Sequence, residues 1–574
     1  MRITARIDDS YEQKLQAIQQ ATHLNTTDIM KLLIIHGKIL KSCFTIYSMN
    51  SPKPELPEIN KEDRTPLVDV LLEMLAWQQK QIDELAQEIL KLKGETTKPK
   101  IKPSTMDKEG APGSDDSSSK RKKGPRRSKK GNLKIDETQI IQPDEIPEGS
   151  RFKGYQDRVI QDITFQTHNI RYRLAEYITP EGLTILGQLP EDIQGGSFGK
   201  SLIAFILYQY HHQHVTQPLL LEQIRDLGVD ISSGKLSYIL TEDLDDFHAE
   251  KDELLKTGLS VSKYIHTDDT GARHKGQNGY CTHIGNDFFA WFSSTESKSR
   301  INFLNCLSQG KTTLYTLNTG AIEYMAQNKL SVVILATLEN ISVCINTAPD
   351  WCEWLDQQGI VKPRHRKIVT EGALMGGLLD QGISSDFSII SDDAGQFNVF
   401  DHALCWIHAE RVINRLIPLN DSHTKAVDDA RDQLWSIYHD LKAYKLNPVT
   451  EQASSIRQRF QVLCSTKTGY ETLNQALGRM GKNQHELLRV LDKPYLPLHN
   501  NLSERDIRDY VKKRKISGST RSDAGRKARD TFASLKKTCR KHGMSFWGYL
   551  KSRLLKLEGI PPLSEVIRAA AASG

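Results

Sequence analysis

Three acidic segments, far apart in the chain, carry the residue types that phosphoryl transfer uses. The run YIHTDDTGAR (264–273) begins with an apolar-to-polar stretch, 264–268, that ends in acid, with Asp268 and Asp269 side by side. The run FSIISDDAG (387–395) reads as a buried strand closed by Asp392 and Asp393, at the carboxyl end where open α/β sheets place ligands. The run LHNNLSERDIRDYVKKRK (498–515) begins a helix at Asn501, a natural N-cap, with Glu504 three residues on and Arg508 one turn further. Two strand-end aspartates and a helix-borne glutamate are what a two-metal site needs, because divalent ions roughly 3.5–4 Å apart require several carboxylates to offset their charge. Oxygen ligands and a phosphate substrate suit a hard cation, so two Mg2+ (or Mn2+) ions are expected, held by carboxylates from these three segments. Each acid has an ordinary reading as well. Asp268 or Asp269 could cap a turn, Asp392 or Asp393 could form an Asx turn, and Glu504 could close a capping box or pair with Arg508. It is the combination that points to chemistry.

Something must position these side chains. GYCTHIG (279–285) and FFAWFSS (288–294), joined by Asn286-Asp287, read as two further strands. Together with 264–268 they predict three consecutive antiparallel strands, with Asp268 and Asp269 on the first. Residues 180–245 read as mainly helical. There Leu219 to Ile224 leads through Leu227-Gly228-Val229, a weak helix-turn-helix signal for which ordinary helical packing is the simpler reading.

The chain has 574 residues, 38% hydrophobic and 26% charged, which predicts several domains with polar, disordered sequence between them. Apolar runs such as Leu330 to Leu338 are far shorter than the roughly 20 residues of a membrane helix. The N-terminus, MRITARIDDSYEQ, carries charge where a signal peptide needs apolar residues. A cytoplasmic protein is expected, neither secreted nor membrane-spanning. No two of the eight cysteines form a CxxC, which argues against a disulfide scaffold and against CxxC zinc knuckles. Cys405 and His408 share a helix face, but zinc would need two more ligands, and only Cys281 and His283 form another close pair. A buried Cys and a positioned His are the expectation there.

The net charge of +6 conceals an asymmetry. Residues 117–135 hold nine Lys or Arg and no acid, and residues 505–556 hold 17 basic against 4 acidic residues. Two basic blocks on an acidic body point to a polyanionic partner.

Residues 1–42 alternate Arg2, Thr4 and Arg6 with Ile3, Ala5 and Ile7, then show two helical patterns. About 40 residues bury too little surface to fold alone, so a dimer is expected. This strand-helix-helix order resembles the ribbon-helix-helix DNA-binding family, which implies that Arg2, Thr4 and Arg6 face base edges. Residues 64–94 follow as a coiled-coil helix with Val68, Leu75, Ile82 and Ile89 on one seam position and Leu71, Gln78, Leu85 and Leu92 on the other. Residues 95–150 read as a disordered basic linker, 151–255 as a helical DNA-binding or pre-core region, and 256–552 as the catalytic core. Insertions are expected at about 305–385 and 417–490, with a C-terminal tail over 553–574.

The three acidic segments resemble the DDE transposases of the insertion-sequence sixty-six type, which have an RNase H-like catalytic core. HTDDTGAR with its two following strands is similar to that family's first motif, with Asp268 matching the first catalytic aspartate. SDDAGQF with CWIHAERVINRL is similar to the second, with Asp392, Cys405, Trp406, His408 and Arg411 matching. HNNLSERDIR is similar to the third, with Asn500, Asn501, Glu504, Arg505 and Arg508 matching, and Arg514-Lys515 continue the likeness. Asp269 stands where the family usually has Glu, His499 where it usually has Asp, and the usual zinc-binding cysteines have no counterpart around 145–180. The resemblance implies a multidomain α/β protein with an RNase H-like mixed sheet, flanking helices and a helical insertion. It also implies metal-dependent hydrolysis at transposon ends, then attack of the freed 3′-hydroxyl on target DNA. Catalytic Asp268, Asp392 and Glu504 would be aided by DNA contacts from Arg505, Arg508, Arg514 and Lys515. The partners implied are double-stranded DNA, a second copy of the chain or more, and accessory proteins of the element, in a bacterial, nucleoid-associated setting. Two alternatives stay open: a catalytically decayed DNA-binding repressor or accessory factor, and an RNase H-like nuclease that cuts without joining.

Overall fold

The computed structural model describes residues 135–190, 196–308 and 311–573. The ribbon-helix-helix unit with Arg2, Thr4 and Arg6, the coiled-coil helix, and the linker up to residue 134 lie outside the described residues. The chain divides into two units, which are treated separately below.

The larger unit spans residues 100–411, 438–458 and 482–574. Its centre is a mixed five-stranded sheet: β1 (Tyr264–Gly271), β2 (Tyr280–Gly285), β3 (Ala290–Thr295), β4 (Ser388–Ser391) and β5 (Asp401–Leu404), in the order 3-2-1-4-5. The first three strands form the antiparallel meander expected from their alternation, and β4 and β5 lie parallel to β1. Between β2 and β3, Asn286 closes the turn, its Oδ1 accepting from Phe288 N at 2.9 Å while its own N–H donates to Phe289 O at 3.0 Å. All four residues of β4 are buried, as befits a parallel strand covered on both faces.

Among the helices of this unit, α1 (Lys200–Leu207) runs directly into a π-helix, Tyr208–His212. Then come α2 (Asp245–Val261), α3 (Pro363–Asp380), α4 (Trp406–Asn414), α5 (Asn501–Ser517) and α6 (Asp523–Lys541). The stretch before α1, read as helical from residue 180, is instead extended around a two-stranded hairpin, Glu176–Ile178 with Thr184–Leu186. Gly182 takes a positive φ at its turn, where Pro180 blocks a helix. Between β3 and β4 the chain is mostly helical, with α3 buried along most of its second half.

The outer edge of the sheet is closed by a helix rather than by another strand. The N–H groups of Ala290, Phe292 and Ser294 point outward from β3. They donate to Thr538 Oγ1 (3.1 Å), Ser534 Oγ (2.9 Å) and Asp530 Oδ2 (2.7 Å), all on α6. The repeats match: two residues of strand advance about 6.6 Å and four residues of helix about 6 Å. A row of short polar side chains at i, i+4 and i+8 thus satisfies an edge that water would otherwise have to satisfy.

In the smaller unit, Val412–Ile437 and Arg459–Gly481 are described. They are chiefly helical, with His423 stacked on Tyr470 (4.4 Å between ring centres) and the Tyr470 hydroxyl donating to Ile417 O at 2.9 Å.

Ser534 is fully buried, and its replacement leaves the Phe292 N–H without its acceptor. Ser534→Ala is therefore expected to destabilise the protein by about 1–3 kcal/mol, read as a lowered urea midpoint at unchanged slope.

Candidate active site

The register of two parallel strands sets the first two acids side by side. Tyr264 pairs with Ser388, Ile265 with Ile389 and His266 with Ile390. Carried two residues further, the same register brings Asp268 next to Asp392, on strands about 4.8 Å apart. Side chains alternate along β1, so Asp268 shares the face of His266 and Asp269 the opposite face. On that opposite face Asp269 is engaged by Thr282 Oγ1 (2.5 Å) and Gln396 Nε2 (2.9 Å). The two adjacent aspartates are thereby told apart: Asp269 is held by hydrogen bonds, while Asp268 shares the face on which His266 meets α5.

Helix α5 brings in the glutamate, and its first turn is fastened to the sheet at several points. Asn500, fully buried, accepts from His266 Nδ1 at 2.9 Å and donates from Nδ2 to Thr267 O at 2.8 Å. Its backbone N–H donates to Cys405 Sγ at 3.1 Å. Ser503 Oγ lies 2.6 Å from His283 Nδ1, and Asp506 Oδ2 3.3 Å from the other nitrogen of that ring. Burial works against ionisation of Asp506, yet His283 and Lys541 hold its carboxyl well below the usual range. Glu504, between these anchors, accepts from Arg411 Nη1 at 3.0 Å and lies 3.5 Å from His408 Nε2. Its expected partner Arg508 is exposed instead.

The charges of Asp392 and Glu504 are both felt at Asp268. Burial, together with the charges of Asp392, Asp269 and Glu504, pushes the Asp268 carboxyl up to about 7, against the hydrogen bond from Asp269 N. The imidazole of His266 is pushed the other way, to about 3, by burial. Asp392 is half-buried and its Oδ1 accepts from Ala394 N at 3.1 Å, an Asx turn as its ordinary reading allowed. Oxygen donors and mutual repulsion among carboxylates suit a hard divalent cation, which would relieve that repulsion. Among the described residues, however, no group of three or more His, Cys, Asp or Glu side chains stands ready to hold an ion. Glu504 Oε1 is turned to Arg411.

Of the basic residues expected near DNA, Arg505, Arg508 and Lys515 are exposed along α5. Arg514 is half-buried and donates to Gly271 O and to Thr270 Oγ1, pinning the end of β1. Cys405 is buried, with its thiol pushed up to about 11 by burial, and serves as a hydrogen-bond acceptor for the start of α5. Sequence reading did not find the clasps through His266 and His283. Their signal was alternation: His266 and Asp268 are two apart on one strand, and His283 pairs with Asp268 across the next.

Residues 389–528 match the model of the transposase IS66 family. The chain is also 41% identical over 324 residues to an uncharacterized protein, y4jO, of Sinorhizobium fredii, covering 55% of this chain and 100% of that protein. The chain belongs to the IS66 transposase family. The IS66 match runs from β4 into α6, so it holds Asp392, Arg411 and Glu504, while Asp268 lies upstream of it.

In this IS66-family protein the raised Asp268 has a stability consequence. The folded state keeps its proton up to about pH 7, whereas the unfolded chain releases it near pH 4. Stability contributed by the protonated form is complete below pH 4 and lost as pH rises through 7. Without divalent ions, Asp268→Asn should raise stability at pH 8 by on the order of a few kcal/mol and leave it nearly unchanged at pH 4. Thermal denaturation in chelator at the two pH values reads the difference.

Proposed function

We propose that this protein is a DNA transposase of the DDE type, built on an RNase H-like core, that cuts transposon ends and transfers the freed 3′-hydroxyl into target DNA. The observation that carries the reading is the β1–β4 register, which sets Asp268 beside Asp392, with the charge of Glu504 felt at Asp268. The mixed sheet of an antiparallel meander followed by two parallel strands supports the RNase H-like part.

Asp268, Asp392 and Glu504 would hold two Mg2+ or Mn2+ ions. When bound, these ions would activate the attacking oxygen and stabilise the leaving one. The chain's own groups prepare the site. His266 stays neutral and adds no competing charge among the acids. Asn500 fixes the first turn of α5, from which Glu504 extends to pair with Arg411. Arg505 and Arg508, exposed next to Glu504, would meet phosphates flanking the cut. Double-stranded DNA as partner and assembly of two or more copies belong to the same proposal. Among the described residues no helix is long and apolar enough to cross a membrane.

A second reading, a DNA-binding repressor or accessory factor with a silent core, is favoured by one observation: Glu504 is paired with Arg411 and His408 rather than gathered with the aspartates.

Two measurements separate the readings. With DNA carrying the sequences that flank the gene on both sides, Asp392→Asn should abolish the cleavage made by the wild type and leave DNA binding intact; a variant that still cuts removes Asp392 from the chemistry. In calorimetry, wild-type protein should bind Mn2+ and Glu504→Gln should bind it at least tenfold more weakly. Wild-type protein that binds no metal favours the repressor.

A further inference from the structure

The basic block 505–556 is not simply a solvated face. Three of its cations are buried: Lys513 is 5% exposed, Arg529 7% and Lys536 3%. With His211, itself 6% exposed, they line a hollow partly open to solvent between the π-helix Tyr208–His212 and helices α5 and α6.

The acids at this hollow are already committed. Asp509 pairs with Arg540 at 2.7 Å and Lys536 at 3.5 Å, and Asp506 with Lys541 at 2.8 Å and Lys537 at 3.4 Å. Lys513 and Arg529 have no carboxylate partner among the described residues. Lys513 donates to Tyr210 O at 2.6 Å and sits 3.5 Å from the centre of the Tyr210 ring. Arg529 donates to Gly518 O at 3.1 Å. Burying two unpaired cations is costly unless an anion joins them. Burial and the neighbouring cations Arg529 and Lys536 depress Lys513 to about 7.

Two further features mark the place. His211 Nε2 is buried without a hydrogen-bond partner at this hollow. The backbone around it is irregular: His211 lies in a π-helical turn, and His214 takes a left-handed φ of 65°, both of which recur at functional sites.

We propose that this hollow binds a phosphoryl oxyanion, with Lys513, Arg529 and the orphan nitrogen of His211 as its ligating groups. The enclosed part has room for about one small group, which fits a single phosphoryl oxygen entering from the mouth. The source is either free phosphate or a phosphate of a DNA backbone, and both present the same oxygen. The site uses none of Asp268, Asp392 and Glu504, so its test is independent of DNA cleavage.

The test titrates the full chain, in chloride-free buffer, with inorganic phosphate by calorimetry, and with a random-sequence DNA duplex over a range of salt concentrations. Lys513→Gln removes a buried unpaired cation and should keep or raise the melting temperature. His211→Phe keeps an aromatic ring against Phe532 and removes both ring nitrogens, the orphan Nε2 among them. Phosphate binding weakened at least tenfold by Lys513→Gln and severalfold by His211→Phe, with DNA binding unchanged, assigns the site to free phosphate. A fall of about one in the slope of log affinity against log salt assigns it to a DNA phosphate. If both variants bind phosphate and DNA as the wild type does, or the wild type binds no phosphate and neither variant changes the salt slope of DNA binding, the proposal is overturned.

Discussion

Asn500 is the joint on which the site depends. A side chain with no exposed surface bridges the start of α5 to β1 through both its amide oxygen and its amide nitrogen, while its backbone N–H reaches Cys405. Buried amide groups must be satisfied, and here the satisfying groups come from two separate parts of the chain, β1 and Cys405. The position of Glu504 follows from that accounting. One turn beyond Asn500, it pairs with Arg411 and still stands near enough for its charge to reach Asp268.

The two halves of the site are fixed by different physics. Asp268 and Asp392 are set by the backbone register of two hydrogen-bonded parallel strands, one of which, β4, is buried along its whole length. Glu504 is set by side-chain hydrogen bonds at a helix start, and its own carboxylate answers to whatever cation is nearest. In this structure that cation is Arg411. A rigid pair of acids and one that can change partners make a site whose assembly depends on charge.

Much of this was legible in the sequence. The meander could be read from 264–294 because alternation and the Asn286-Asp287 turn are local signals. Asp392 and Glu504 stood out through their places after a strand and at a helix start, whereas Asp268, read as a strand end, lies inside β1, which runs on to Gly271. The hydrogen bonds that set Asp269 apart from Asp268, from Thr282 and Gln396, were not legible from pattern. Nor was the pairing of Glu504 with Arg411, 93 residues away in sequence, when Arg508 stood one turn off. The buried lysines were hidden for a related reason: composition counts charge, but only packing decides that Lys513 and Lys536 lie inside while Arg505 and Lys515 lie outside. The extended stretch before α1 was misread because its apolar residues suggested helices, whereas Pro180 and Gly182 set a hairpin turn.

The closure of β3 by α6 has a consequence for how the chain is made. The strand ends at Thr295, but the side chains that cover its edge begin at Asp530, more than two hundred residues later. During synthesis at the ribosome the meander emerges long before its lid, leaving a row of open backbone donors in the nascent chain. A product cut short by a frameshift before Asp523 would keep that row permanently bare. Such fragments should stick to one another through added strands, which gives the full-length chain a built-in distinction from its own premature stops.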